Sequence, residues 1–270
     1  MEEINMETNT KSYSFAFKIA VVTAFVIMVV INALANILPI NGISTGAVSD
    51  SYPNLFAPAG ITFSIWGVIY LLLALYCLYQ FGIFQKNTLI DTPLYTKIGM
   101  IFIITSLANA AWIFTWHYGA LALSLVLMLI ILLGLIFINN LLAKADLTLK
   151  DKFLLKLPFS IYYGWITVAT IANVTAFLVD LGWNRWGFRE VFWAIIAIGA
   201  GLVIGGLTAL VNRDVPYALV LIWAYAGIVI KHVSVTGFNN QYPQVIIACS
   251  VAITLFVVDL IYIVIKNRKV

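Results

Sequence analysis

Residues 109–116 read Asn-Ala-Ala-Trp-Ile-Phe-Thr-Trp, inside an apolar run that begins near Ile98. On a helix Asn109, Trp112 and Trp116 fall at i, i+3 and i+7, so one amide and two indoles share a face. Such a face is costly to give to lipid, because an Asn in hydrocarbon must find a hydrogen-bond partner and each indole N–H needs one too. The face is therefore expected to look inward. It serves either as one wall of a binding pocket or as a helix interface in which Asn109 bonds a neighbouring helix.

Composition sets the class around this stretch. Hydrophobic residues make up 63% of the chain and charged residues only 10%, whereas a water-soluble domain carries roughly a quarter of its residues charged. Mean hydropathy is +1.03. The expected fold is all-α, a polytopic transmembrane helical bundle. At about 20 apolar residues per crossing, eight spans are expected at roughly 17–38, 59–83, 97–116, 119–142, 154–180, 190–211, 215–231 and 243–265.

The charge distribution gives an orientation. With the N-terminus inside, the inner segments hold Lys11, Lys18, Lys86, Lys97, Lys144, Lys150, Lys152, Lys156, Arg213, Lys266, Arg268 and Lys269, leaving only Arg185, Arg189 and Lys231 outside. The positive-inside rule then places both termini in the cytoplasm, in the plasma (inner) membrane. The formal charge of +4 is thus an orientation signal and no sign of nucleic acid.

Residues 1–16 form a polar tail with Glu2, Glu3 and Glu7. The first apolar run, followed by Ala33-Leu34-Ala35, imitates a cleavable signal sequence. It runs on through Leu38, and Asn32 and Asn36 make a polar stripe near its end, which a retained helix explains better. Residues 40–57 form a long Gly-, Ser-, Pro- and Asn-rich outer loop without Lys or Arg, suited to a lid. Pro58 then suits the start of the second helix, on which Phe63, Trp66 and Tyr70 recur at i, i+3 and i+7. The fourth span is nearly pure Leu, Ile and Val and is expected to face lipid. The fifth opens at Leu157-Pro158 and interleaves Tyr162, Trp165 and Asn173 with small residues that allow close helix approach.

Phe63, Trp66 and Tyr70 on the second span, Asn109 and Trp112 on the third, and Trp165 with Asn173 on the fifth resemble the TspO/MBR family, the tryptophan-rich sensory proteins. The resemblance covers about residues 17–181. It implies a five-helix bundle with a pocket beneath the loop between helices one and two. It also implies ligands such as porphyrins and other hydrophobic polycyclic molecules, and places Trp66, Asn109, Trp112, Trp165 and Asn173 around the pocket. This sequence departs from the family in two ways. Pro158 lies seven residues before Trp165, where the family has its Pro four before, so the start of helix five is expected to be reshaped. Three further spans follow, so the chain divides into the tail 1–16, a TspO/MBR-like domain 17–181 and an additional three-helix segment 182–270.

Outside that resemblance the chemistry is sparse. His117 and His232 are the only histidines, each near the outer end of a span, and read as interfacial hydrogen-bonding groups; His117 would be an axial contact if the ligand were haem. Cys77 and Cys249 lie within spans and read as free buried thiols. No nucleophile with a base and no metal cluster is present, so no enzymatic activity is expected. Trp183, Trp186 and Trp193 read as an interfacial anchor, and Gly201 and Gly205 as a close-packing face for another helix. Asp259, in the eighth span, is the acidic residue best placed for proton coupling.

The sequence therefore leads to an integral membrane protein that binds a hydrophobic, tetrapyrrole-like small molecule for sensing or transport. The expected ligand-binding residues are Phe63, Trp66, Tyr70, Asn109, Trp112, Trp116, Tyr162, Trp165 and Asn173. No cofactor is expected, porphyrin or haem being ligands, and the partners are that molecule and membrane lipid, with a homodimer compatible. The competing reading is a secondary transporter or permease subunit using all eight helices, followed by a membrane enzyme.

Overall fold

The structure, a computed structural model, describes residues 14–38, 40–83 and 92–268. Most of the expected polar tail, together with Lys11, Lys86 and Lys269, lies outside the described residues. Among them, eight helices are long and apolar enough to cross a membrane: α1 Phe15–Ile37, α2 Gly60–Gln80, α3 Pro93–His117, α4 Leu121–Ala143, α5 Leu149–Asp180, α6 Glu190–Asn212, α7 Val215–Val233 and α8 Pro243–Asn267.

The helix ends follow local chemistry. Thr148 and Asp151 form a capping box that starts α5 five residues before the expected boundary. A π-helical turn, Lys152–Lys156, precedes Pro158; the proline removes one backbone donor, and the wider turn absorbs it. This is the form taken by the reshaped start of helix five. Asp214 caps α7 by accepting from the Tyr217 N–H at 3.1 Å. Pro58 lies ahead of the helix rather than inside it, because α2 begins with a 3-10 turn at Gly60 and the preceding Ala59 N–H donates across to the Gly227 carbonyl on α7 at 3.0 Å.

The first five spans close a ring in the order α1, α3, α4, α5, α2, in which the joints of α2 with α1 and α5 have fewer close backbone approaches than the other three. Lipid exposure of α4 holds for one face only. Its other face buries Ser124, Met128, Ile131, Leu135, Ile138 and Asn139 against α3 and α5, a stripe that Ser124 and Asn139 mark only near its two ends and the Leu, Ile and Val between them do not advertise.

The last three helices are built onto the ring: α7 packs on α5, α8 on α7, and α6 on α8. Gly164 lets α5 and α7 cross closely, since a Cβ there would stand 2.9 Å from Val220 Cβ and 3.1 Å from the Tyr217 carbonyl. Beside the crossing the Tyr217 hydroxyl donates to Thr167 Oγ1 at 3.0 Å, and the Ser160 hydroxyl donates to the Asp214 carboxylate. The expected glycine face of α6 finds its partner in the same chain: Gly201 lies against the Tyr225 ring and Gly205 against Leu221, both on α7. Cys77 and Cys249 are buried and free.

One end of the bundle carries the long loop 40–59, the lid end; the other carries Lys144, Lys152, Lys156, Arg213 and Lys266, the basic end.

Candidate functional site

A chain of amides and a phenol crosses the centre of the ring. Asn32 on α1 donates through Nδ2 to Asn109 Oδ1 on α3 at 2.7 Å, and Asn109 Nδ2 donates to the Tyr162 hydroxyl on α5 at 3.0 Å. All three residues are buried. The inward turn of the 109–116 face is thus as the sequence requires. Tyr162, having accepted from Asn109, still has its own proton to give.

Beside this chain stand aromatic rings from α2 and α5. Trp66 lies edge-on to Trp165 at 6.2 Å and to Tyr162 at 5.8 Å between centroids. It also stacks on Tyr70 at 5.5 Å, and Phe63 meets Trp165 at 5.7 Å. On α3, Trp112 stacks on Trp116 at 5.5 Å. Phe63, Trp66 and Tyr70 are half-buried, and the remaining six expected site residues are buried. Asn173 turns toward α4, donating to Ser124 Oγ at 2.7 Å.

Four polar atoms in this set are shielded and have no hydrogen-bond partner among the described residues: the Tyr70 hydroxyl, Trp112 Nε1, Trp165 Nε1 and Asn173 Oδ1. Buried polar groups are nearly always paired. Shielded atoms without a partner among the described residues also occur outside this set, Ser106 Oγ and Asn139 Oδ1 among them. What sets Tyr70, Trp112 and Trp165 apart is that their own rings stack or meet edge-on with other aromatic side chains.

The lid closes the ring from above and is held on two sides. On the α3 side, the His117 Nδ1–H donates to the Ile40 carbonyl at 2.9 Å, and His117 Nε2 pairs with Thr45 Oγ1 at 3.1 Å. Asn41 Nδ2 donates to the His117 carbonyl at 2.8 Å, and Trp116 Nε1 to the Thr45 carbonyl at 3.2 Å. On the α7 side, the His232 Nε2–H donates to the Leu55 carbonyl at 3.0 Å. Lys231 pairs with Asp50 at 2.6 Å, and just beyond the loop Trp223 Nε1 donates to the Thr62 carbonyl in the first turn of α2 at 3.0 Å. Between the two sides, Tyr52 lies over Trp116 at 6.1 Å. Its hydroxyl fills the space at Gly119, where φ is +73° and a Cβ would stand 3.3 Å away. Burial, and secondarily the Asp180 carboxylate, push the Tyr52 phenol above its usual range.

Both histidines are therefore lid fasteners. An axial contact from His117 to a haem is not available in this arrangement, because both ring nitrogens already face lid atoms. Among the described residues no group of three or more His, Cys, Asp or Glu could hold a metal ion. Asp259 lies outside the ring, on α8, with its carboxylate facing Gly206 of α6.

A cavity of about 730 Å³ lies elsewhere, between α5 and α6, under lid residues Pro53 to Phe56 and beside Trp183 and Arg185. Its α5 wall is Thr170, Ile171, Val174, Thr175, Leu178 and Val179, and neither Trp165 nor Asn173 lines it. Trp183, Trp186 and Trp193 cluster at its mouth with centroids 4.6–5.5 Å apart, and Arg185 and Glu190 form an ion pair there. Sequence reasoning missed this space. Its only signal was Ala194, Ala197 and Ala200 on α6, small residues at one-turn spacing that read equally well as packing.

The fold and the site define a multi-pass helical membrane protein whose first five helices ring a lidded aromatic interior. A family model described as TSPO-like protein matches residues 18–262. The chain belongs to that family, and the match runs past the ring through most of α8. No curated protein and no solved structure matched the chain.

Proposed function

We propose that this TspO-type membrane protein binds a flat, hydrophobic, tetrapyrrole-like molecule within the ring, as a sensor or carrier and without chemical conversion. The observation that carries the reading is the set of unpartnered polar atoms, the Tyr70 hydroxyl, Trp112 Nε1 and Trp165 Nε1 on residues that also supply the aromatic walls, together with Asn173 Oδ1. A shielded donor or acceptor without a partner costs about 1–3 kcal/mol. A conjugated ring bearing nitrogen and carboxylate groups would satisfy them while stacking on the indoles. Tyr162, oriented by Asn109, would add a directional bond. Nothing in the set pairs a nucleophile with a base, which favours binding over catalysis.

The test is intrinsic Trp fluorescence of the detergent-purified protein, titrated with protoporphyrin IX and with haem, on the parent protein, Asn109→Ala and Trp112→Ala. Saturable quenching at micromolar or lower concentration, weakened by both substitutions, is expected. Linear quenching identical in all three would mean partition into the micelle and would overturn the reading.

A further inference from the structure

At the basic end, remote from the ring interior and the lid, a second groove of about 370 Å³ opens between the start of α5, the α6–α7 turn and the end of α8. Lys152 and Lys156 line it from the π-helical turn, and Arg213 from the α6–α7 turn; Phe153 and Pro216 supply apolar wall. Three cations thus converge from two segments far apart in sequence. The ion pairs among the described residues, Arg185 with Glu190 and Lys231 with Asp50, lie at the lid end. The one carboxylate in the groove, Asp214, is buried and already accepts from Ser160 and from the Tyr217 N–H.

Two backbone features present these cations. Arg213 closes α6 in the left-handed conformation, φ +48° and ψ +45°, a position that helices ordinarily give to Gly or Asn. Its carbonyl is fixed by the Asn267 amide of α8 at 3.3 Å. A bulky residue held in that conformation is strain retained, and strain of this kind gathers at functional positions. The π-helical turn that carries both lysines is likewise a geometry that recurs at functional sites. Phe153, 56% exposed, lines the groove beside the cations as an apolar surface.

We propose that this groove is a binding site for the headgroup of an anionic phospholipid, with the phosphate held by Lys152, Lys156 and Arg213 and the start of the acyl chains lying along Phe153 and Pro216. Basic residues convergent between helices at the membrane surface, with apolar wall directly beside them, match both halves of such a molecule. A soluble phosphate would use only the cations.

Native mass spectrometry of the full-length protein, released from detergent with graded phosphatidylglycerol or phosphatidylcholine, reads the site directly. The parent protein should retain phosphatidylglycerol preferentially. Removing charge at Lys152→Gln with Lys156→Gln should cut that retention about five-fold per residue. Arg213→Gly should do the same while folding at least as well as the parent, since glycine suits the left-handed backbone; a thermal melt monitors this. Lys97→Gln, Lys144→Gln and Arg268→Gln together remove equal or greater charge at the same end but outside the groove, and should leave retention unchanged. Equal loss in that control would assign the preference to diffuse surface charge and overturn the proposal. Displacement of the lipid by millimolar inorganic phosphate would overturn it in favour of a soluble anion.

Discussion

His232 Nε2–H donates to the Leu55 carbonyl at 3.0 Å across 177 residues of sequence, so a helix outside the ring holds the loop that covers the ring. His117 holds the same loop from the opposite side through Ile40 and Thr45. The lid is therefore a span fastened at two points by the two histidines of the chain. Removing one fastener should loosen it without dismantling the bundle. His232→Ala is expected to raise hydrogen exchange of lid amides by about ten-fold, the equivalent of one buried hydrogen bond of about 1–1.5 kcal/mol. Exchange within α3 and α5 should stay at the parental rate.

The unpartnered indoles give a sharper test of the ligand reading. Trp112→Phe and Trp165→Phe keep an aromatic wall and delete the N–H alone. Because each deleted donor lacks a partner among the described residues, the ligand-free protein should melt at the same temperature or slightly higher. Porphyrin affinity should fall about five-fold or more, in line with a lost hydrogen bond. Unchanged affinity in both would remove the argument from the orphaned donors.

Asn109 has a structural duty that the tryptophans lack. It accepts from Asn32 and donates to Tyr162, so Asn109→Leu deprives the buried Tyr162 hydroxyl of its donor and leaves Asn32 Nδ2 with only its bond to the Met28 carbonyl. A loss of about 2–4 kcal/mol is expected, read as a lower melting temperature in detergent. Tyr162→Phe removes one end of the chain only and should cost about half as much.

Close helix approach sets the joint between ring and added helices. A Cβ at Gly227 would run into the side chain of Thr62, at the start of α2 where the Ala59 N–H meets the Gly227 carbonyl. Gly227→Ala should cost about 1–3 kcal/mol through overpacking and, by pushing α7 from α2, should also raise lid exchange. A variant that destabilises the protein while leaving the lid rigid would show that the lid does not depend on this joint.

Much of the architecture was legible because it rests on periodicity and composition. The inward amide and indole face of α3 and the glycine face of α6 are patterns of three to four residues, and the eight apolar runs are matters of length and composition, all visible in one dimension. The lid fasteners were not. His117 and His232 read as interfacial hydrogen-bonding groups near span ends, but apart from Thr45 Oγ1 their lid partners are the backbone carbonyls of Ile40 and Leu55, which have no side-chain signature. The buried stripe of α4 was hidden because Leu and Ile face lipid and protein equally well. Pro58 misled for a related reason: a proline marks an extended approach to a helix as readily as its first turn, and Gly60 and the long-range bond from the Ala59 N–H to the Gly227 carbonyl decided between them. The cavity behind α5 is a void, and voids are set by how two helices diverge rather than by any residue in them.

The double fastening of the lid also bears on how a guest would arrive. With the covering loop tied to α3 and α7, the sparsest joints around the ring are those of α2 with α1 and α5, and α2 carries the half-buried Phe63, Trp66 and Tyr70. Traffic through that flank would draw on molecules already dissolved in the bilayer. Occupancy would then track their mole fraction among the lipids rather than their concentration in the buffer, and diluting the membrane at constant aqueous supply would empty the protein.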